Sequence, residues 1–143
     1  CLQSQTFETI QVVAGQTTAH ILIYLNGIDP SFSPVYKAGS FWLCLTGGDP
    51  LTRTDFLDIY SYAKDKGFII TIFTNGYSMT KEIISYLQKR SPFVLEMTLN
   101  AVTKDLYEKI SGVKDSFERS RRGINLILKA NLRMRLIYLF MTN

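Results

Sequence analysis

Cysteine and histidine are nearly absent from this chain of 143 residues, which has two Cys (Cys1 and Cys44) and one His (His20). A disulfide framework, or a thiolate-only site for zinc or an iron-sulfur cluster, needs about four ligands and cannot be built from these cysteines alone. A single histidine reads as structural rather than as a metal ligand. No apolar run approaches the roughly 18 residues that cross a bilayer. No basic segment followed by an apolar core and a small-residue cleavage site opens the chain either. The expectation is a cytoplasmic protein with no membrane partner.

With 46% hydrophobic residues, 16 Lys+Arg and 12 Asp+Glu, the composition is that of one ordinary folded domain. The net charge of +4 is unevenly spread. Residues 1–36 carry only Glu8 and Asp29, whereas all the basic residues follow. Lys114, Arg119, Arg121, Arg122, Lys129, Arg133 and Arg135 lie close together, opposed only by Asp115 and Glu118. Such a cluster suits a nucleic-acid face or the solvated side of a helix whose other side carries Phe117, Ile124, Ile127 and Leu128. No aromatic interleaves the arginines as a base-stacking platform requires, so the solvated helix is the favoured reading and no nucleic-acid partner is expected.

The composition shifts abruptly at residue 36 or 37. Before it, Ile21 to Leu25 has strand character, but Asn26-Gly27, Asp29-Pro30 and Ser33-Pro34 mark turns in quick succession. Residues 1–36 are therefore read as a separate or irregular segment. From Lys37 onward, apolar runs rich in β-branched and aromatic residues alternate with stretches of helical period. The runs Phe41 to Leu45, Phe68 to Phe73, Phe93 to Leu99 and Met134 to Met141 read as buried parallel strands. Between the first two, Thr54 or Asp55 can cap a helix with Phe56, Ile59, Tyr60 and Ala63 inward, stopped at Gly67. Thr80 caps the next, with Ile83, Ile84 and Leu87 inward and Pro92 beyond. A third crossover contains helices from about Thr103 to Ile110 and Ser116 to Lys129, divided at Gly112. Repetition of strand, helix, strand predicts an α/β fold with a parallel sheet and right-handed crossovers.

The strand ends share a feature. Each closes on threonine followed at once, or after one residue, by glycine or asparagine: Thr46-Gly47-Gly48, Thr74-Asn75-Gly76, Thr98-Leu99-Asn100 and Thr142-Asn143. Parallel strands point one way, so these ends are expected side by side on one rim, where such folds bind ligands. The sharpest motif is Gly47-Gly48-Asp49-Pro50. It has neither the G-x-G-x-x-G nor the G-x-x-x-x-G-K-[ST] spacing that wraps phosphates. Two glycines allow close backbone approach to a ligand, and Asp49 adds a carboxylate. Carbonyls plus one carboxylate offer only acceptors and suit a cation such as an ammonium group. A tight turn in which Asp49 caps the next helix suits the same residues.

Leu45 to Leu51, Ile70 to Gly76, Glu96-Met97-Thr98-Leu99, Ser116-Phe117-Glu118-Arg119 and Arg122-Gly123-Ile124, in this order and spacing, resemble the radical S-adenosylmethionine enzymes. Within them, the residues most resemble the branch with an auxiliary-cluster (SPASM-type) domain, which includes proteins similar to the pyrroloquinoline quinone and heme d1 biosynthesis enzymes and peptide maturases. The resemblance covers residues 37–143. It implies part of a (β/α)6 partial TIM-like barrel, with a 4Fe-4S cluster reducing S-adenosylmethionine to a 5'-deoxyadenosyl radical that abstracts hydrogen. It also implies a peptide or small-molecule substrate and an electron donor such as flavodoxin or ferredoxin.

By the same resemblance Gly47, Gly48, Asp49 and Pro50 stand at the G-G-E-P loop that holds the cofactor's amino group, with Asp49 replacing glutamate. Thr74 and Asn75 end the next strand beside the cofactor, and Thr98 replaces a serine near its ribose or carboxylate. Asn100 stands where members often carry Asp or Tyr, and Ser111 near a frequent arginine. The defining C-x-x-x-C-x-x-C motif is absent from this sequence. Two expectations follow: a fragment of such an enzyme, inactive alone, or a degenerate, non-catalytic ligand- or partner-binding α/β module. Cys44, inside a strand, reads as a small buried hydrophobe.

Overall fold

The computed structural model describes residues 20–24 and 41–138. Among them, five parallel strands run in the order β1 (His20–Tyr24), β2 (Trp42–Thr46), β3 (Ile69–Thr74), β4 (Val94–Leu99) and β5 (Met134–Tyr138). Each new strand adds beside the last and in the same direction. That is the winding of a (β/α) barrel arc, not of a doubly wound sheet, whose order reverses at a switch point. The strand character at Ile21 to Leu25 appears as β1, whose Leu22 pairs with Cys44, so the sheet begins upstream of the shift at residue 36 or 37.

The helices form where the spacing predicts them. Helix α1 (Phe56–Asp65) buries Phe56, Ile59, Tyr60 and Ala63. Asp55 stands at its N-cap position without a capping bond, because its carboxylate is taken by Arg53 at 2.6 Å. Helix α2 (Lys81–Lys89) is capped by Thr80, whose hydroxyl accepts from the Ile83 amide at 3.2 Å. Helix α3 (Lys104–Ser111) stops at Gly112, which sits at φ 67° in the left-handed region that glycine adopts without strain. Helix α4 (Ser116–Lys129) follows. One expectation fails there: Leu128 is 57% exposed. Ile127 is fully buried and Ile124 packs against the core as expected, and the small residues Ser116, Ser120 and Gly123 complete the buried stripe.

Side chains alternate between the faces of a strand. One set, Leu43, Leu45, Ile70, Ile72, Leu95 and Met97, packs with Phe56, Ile59, Tyr60, Leu87 and Ile127 of the helices in a single core. Each fully buried leucine or isoleucine there contributes about 1.5–3 kcal/mol. The other set faces away from these helices. Cys44 lies beside Thr71 and Thr71 beside Val94, while Phe73 lies beside Glu96 and Glu96 beside Arg135. That face decides where polar groups can meet a ligand.

Candidate functional site

The tips of β2, β3 and β4 lie side by side, as parallel neighbours must. Gly47 and Gly48 turn the chain away from β2 with φ of 106° and 75°. A Cβ added at Gly48 meets nothing within 4 Å, so backbone torsion and not crowding demands glycine there. Pro50 opens a single 3-10 turn, Pro50–Thr52, and is buried with Leu51 against the core.

Asp49 is 9% exposed and anchors this corner. Its Oδ1 accepts the Leu51 amide at 3.0 Å, which caps the turn. Its Oδ2 accepts the Thr74 hydroxyl at 2.8 Å and the Asn75 amide at 3.2 Å. Burial pushes the carboxyl above the ordinary aspartate range, opposed by the hydrogen bonds from Thr74, Leu51 and Asn75. The capping role read for Asp49 is therefore present. It is joined by one that the sequence did not suggest, a strut from the β2 loop to the tip of β3.

The threonines do not converge as a set. Thr74 pairs with Met97 and shares the helix-side face. Its hydroxyl donates to Asp49 and accepts the Gly76 amide at 3.0 Å. Thr98 lies on the opposite face with Glu96, in register with Ile137. Thr98 and Asn100 are half-buried, and neither side chain has a hydrogen-bond partner among the described residues. Asn75 is exposed, and its Oδ1 accepts the Tyr77 amide at 2.8 Å to close an Asx turn. Thr142-Asn143 lies outside the described residues.

Ser111 is a hairpin residue. Its hydroxyl meets that of Ser116 at 2.7 Å and accepts the Val113 amide at 3.2 Å, bracing α3 against α4. Of the basic cluster, Arg119 stacks over Tyr77, Arg121 pairs with Glu118, Arg133 stacks over Phe93 and Arg135 pairs with Glu96.

Sequence reasoning passed over the polar residues of the strand face that carries Thr98. Glu96 is 4% exposed in the middle of β4, and its Oε1 accepts from Arg135 at 2.7 Å. Trp42 donates through Nε1 to the Thr71 hydroxyl at 3.1 Å. The signal for Glu96 was available: a charge inside an apolar strand run needs a partner, and Arg135 supplies it from the neighbouring run. Cys44 is buried on the same face, and burial, with a smaller contribution from Glu96, pushes its thiol up to about 11. It is a neutral thiol at physiological pH and not a ready metal ligand.

The sequence profile of the Radical SAM superfamily matches residues 37–143, and the chain belongs to that superfamily. Members bind S-adenosylmethionine and a 4Fe-4S cluster. Among curated proteins, the AdoMet-dependent heme synthase of Methanosarcina barkeri (strain Fusaro / DSM 804) is 28% identical over 132 residues, covering 92% of this chain and 36% of the relative. That alignment runs ahead of residue 37. The PqqA peptide cyclase of Ruegeria pomeroyi is 28% identical over 108 residues, 70% of this chain and 29% of the relative. Among solved structures, anSMEcpe with bound AdoMet superposes with a TM-score of 0.55 at 15% identity, over 66% of this chain and 27% of that one. The same enzyme with AdoMet and the Kp18Cys peptide gives 0.53 at 14%, over 68% of this chain and 30% of that one. The chain thus spans about a third of the length of these relatives, and the likeness in structure confirms the partial-barrel fold.

The residues present do not fit the cluster. Among the described residues no group of three His, Cys, Asp or Glu could hold a metal, and Cys44 is buried and neutral. They fit the amino-acid end of S-adenosylmethionine better: a two-glycine turn with open space beside Gly48, the buried carboxylate of the next residue, and Thr98 and Asn100 side chains with no hydrogen-bond partner among the described residues on the next-but-one tip.

Proposed function

We propose that this chain is the S-adenosylmethionine-binding core of a radical S-adenosylmethionine enzyme of peptide or cofactor maturation. Gly47, Gly48, Asp49 and Pro50 form the corner for the cofactor's ammonium group, and Thr98 and Asn100 contact its ribose or carboxylate region. The observation that carries the reading is the buried Asp49 carboxylate under two positive-φ glycines at the tip of a parallel strand. Because three backbone and side-chain groups already bond Asp49, its charge acts on the ammonium from beneath, while backbone carbonyls of the glycine turn make the direct contacts. Thr74 and Asn75 hold that arrangement in place. The cluster thiolates, and with them reduction of the cofactor, must come from cysteines that this sequence does not contain.

The named relatives support maturation chemistry, and the neighbour with a bound peptide supports a peptide substrate. An auxiliary-cluster domain and a flavodoxin or ferredoxin donor belong to the same proposal for the whole enzyme. The test is equilibrium binding of S-adenosylmethionine to the wild-type chain, Gly48→Val and Asp49→Ala, with folding checked by circular dichroism. Both variants should bind at least about tenfold more weakly, the loss of one charge-assisted contact. Unchanged binding by both folded variants removes the assignment of this corner.

A further inference from the structure

Asn75-Gly76 is a chemically unstable pair that the fold does not let the sequence avoid. An asparagine side chain cyclises most readily when glycine follows it, because no Cβ shields the attacking backbone nitrogen. Gly76 sits at φ 75°, and a Cβ on it would collide with the Met97 methyl and lie 3.4 Å from the Ser120 carbonyl oxygen. Glycine is therefore required at 76, while Asn75 beside it is exposed to solvent.

The pair is held by bonds that cyclisation must break. The Gly76 amide donates to the Thr74 hydroxyl at 3.0 Å in a buried place, and that hydroxyl donates to Asp49 at 2.8 Å. The Asn75 amide donates to Asp49 Oδ2 at 3.2 Å, and Asn75 Oδ1 accepts the Tyr77 amide at 2.8 Å. In ring closure the Gly76 nitrogen loses its proton and bonds to Asn75 Cγ. The bond from Cγ to the side-chain nitrogen breaks, and that nitrogen takes a proton and leaves as ammonia. Water then opens the succinimide at either carbonyl, giving aspartate or isoaspartate at 75. The imide nitrogen carries no hydrogen, so the Gly76–Thr74 bond cannot survive closure and the Thr74 oxygen is left without that donor.

We propose that Asn75-Gly76 is a self-modification site of this chain, converting to aspartate and isoaspartate at a rate set by local opening of the Thr74–Asp49 strut. Water is the only co-reactant. Such opening is a local event, distinct from global unfolding. Isoaspartate lengthens the backbone beside the amide that Asp49 accepts, and either product places a second carboxylate near the first. Modified molecules therefore lose the arrangement of this corner. That the loss weakens S-adenosylmethionine binding rests on the functional reading above; the modification itself does not.

The experiment incubates the full chain at neutral pH without cofactor and follows the tryptic peptide of residues 67–81 by mass spectrometry. Asn75 is the one asparagine in that peptide, and the chain's other Asn-Gly pair, Asn26-Gly27, falls outside it. Each rate is divided by that of a free peptide of residues 73–81 with the same substitution. The wild-type chain should convert at least about tenfold more slowly than its peptide. Thr74→Val should raise the ratio at least about fivefold, and Thr74→Ser, which keeps the hydroxyl, should leave it unchanged. Ile59→Val, a core truncation in α1, lowers global stability and should change the ratio by less than about twofold. Conversion of the wild type at its peptide's rate overturns the proposal, as does an unchanged ratio in Thr74→Val or an equal rise in Ile59→Val. The wild-type comparison needs no variant, so the test stands if Thr74→Val does not fold. In a second arm the isoaspartyl chain, purified by its added negative charge, is titrated with S-adenosylmethionine and should bind at least about fivefold more weakly. Unchanged binding there overturns the loss of the corner. The conversion rates involve no cofactor, so their failure leaves the Gly47–Asp49 assignment untouched.

Discussion

Thr74 and Asp49, 25 residues apart in sequence, form a buried hydrogen bond of 2.8 Å that ties the glycine turn after β2 to the tip of β3. The Thr74 hydroxyl donates to the carboxylate and accepts from Gly76, so one side chain sets the position of two loops. The corner is rigid because its charge is bonded from both sides, and preorganisation of this kind reduces the ordering cost of binding.

Thr74→Val keeps the size and β-branching of the side chain and removes only the hydroxyl. It leaves Asp49 short of one donor and the Gly76 amide short of its acceptor in a buried place. The expected loss is about 1–3 kcal/mol of unfolding free energy, read from urea denaturation. Thr98→Val, at a half-buried hydroxyl with no hydrogen-bond partner among the described residues, should cost less than about 0.5 kcal/mol. Equal losses at the two positions would show that the Asp49–Thr74 strut is not a stabilising element.

The pH dependence follows from the direction of the Asp49 shift. Its folded-state value lies above the ordinary one because burial outweighs the hydrogen bonds. A raised carboxyl binds its proton more tightly in the folded state than in the unfolded one. Its contribution to stability is therefore fully present below the unfolded value and is lost as pH rises through the folded value. A wild-type minus Asp49→Asn comparison of urea midpoints, from below the ordinary aspartate range up to neutrality, should show this decline. A bound ammonium favours the ionised form, so saturating S-adenosylmethionine should move the decline to lower pH. A difference that rises with pH in the free chain would reverse the sign assigned here.

The legibility of this molecule in its sequence divides along the physics of its elements. Helices α1 and α2 were readable because their inward residues recur at three- and four-residue spacing and their ends carry Thr80, Gly67 and Pro92. The parallel order was readable from alternation of strand and helix. Which face a strand-end threonine occupies was not, since it depends on register: Thr74 pairs with Met97, and Thr98 with Ile137. The Asp49 strut was hidden for a related reason, because its donors at Leu51 and Asn75 are backbone amides that any residue could supply. Glu96 was hidden by its surroundings, a lone charge in a run whose apolar character drew attention first. Leu128 misled because helical spacing alone does not distinguish the edge of an apolar stripe from its centre.

Gly123 carries the last prediction, because it reverses a general expectation. It lies inside α4, where glycine is disfavoured relative to alanine by about 1 kcal/mol, so Gly→Ala in an exposed helix stabilises. Here the helix backbone packs directly on the loop after β3. A Cβ at Gly123 would collide with the Gly76 carbonyl oxygen, a backbone atom that cannot swing aside. Gly76 in turn sits at φ 75° and follows Thr74 and Asn75, so pushing it displaces the donors on Asp49. Gly123→Ala should therefore lower stability by about 1–3 kcal/mol, the usual cost of overpacking, despite its better helix propensity. It should also weaken S-adenosylmethionine binding, though it lies on no strand tip. Asn125→Ala, on the exposed face of the same helix, serves as the propensity control and should be neutral or slightly stabilising. A Gly123→Ala protein as stable as wild type in urea would mean that α4 and the β3 loop can separate without cost, and the tip of β3 would then need another anchor.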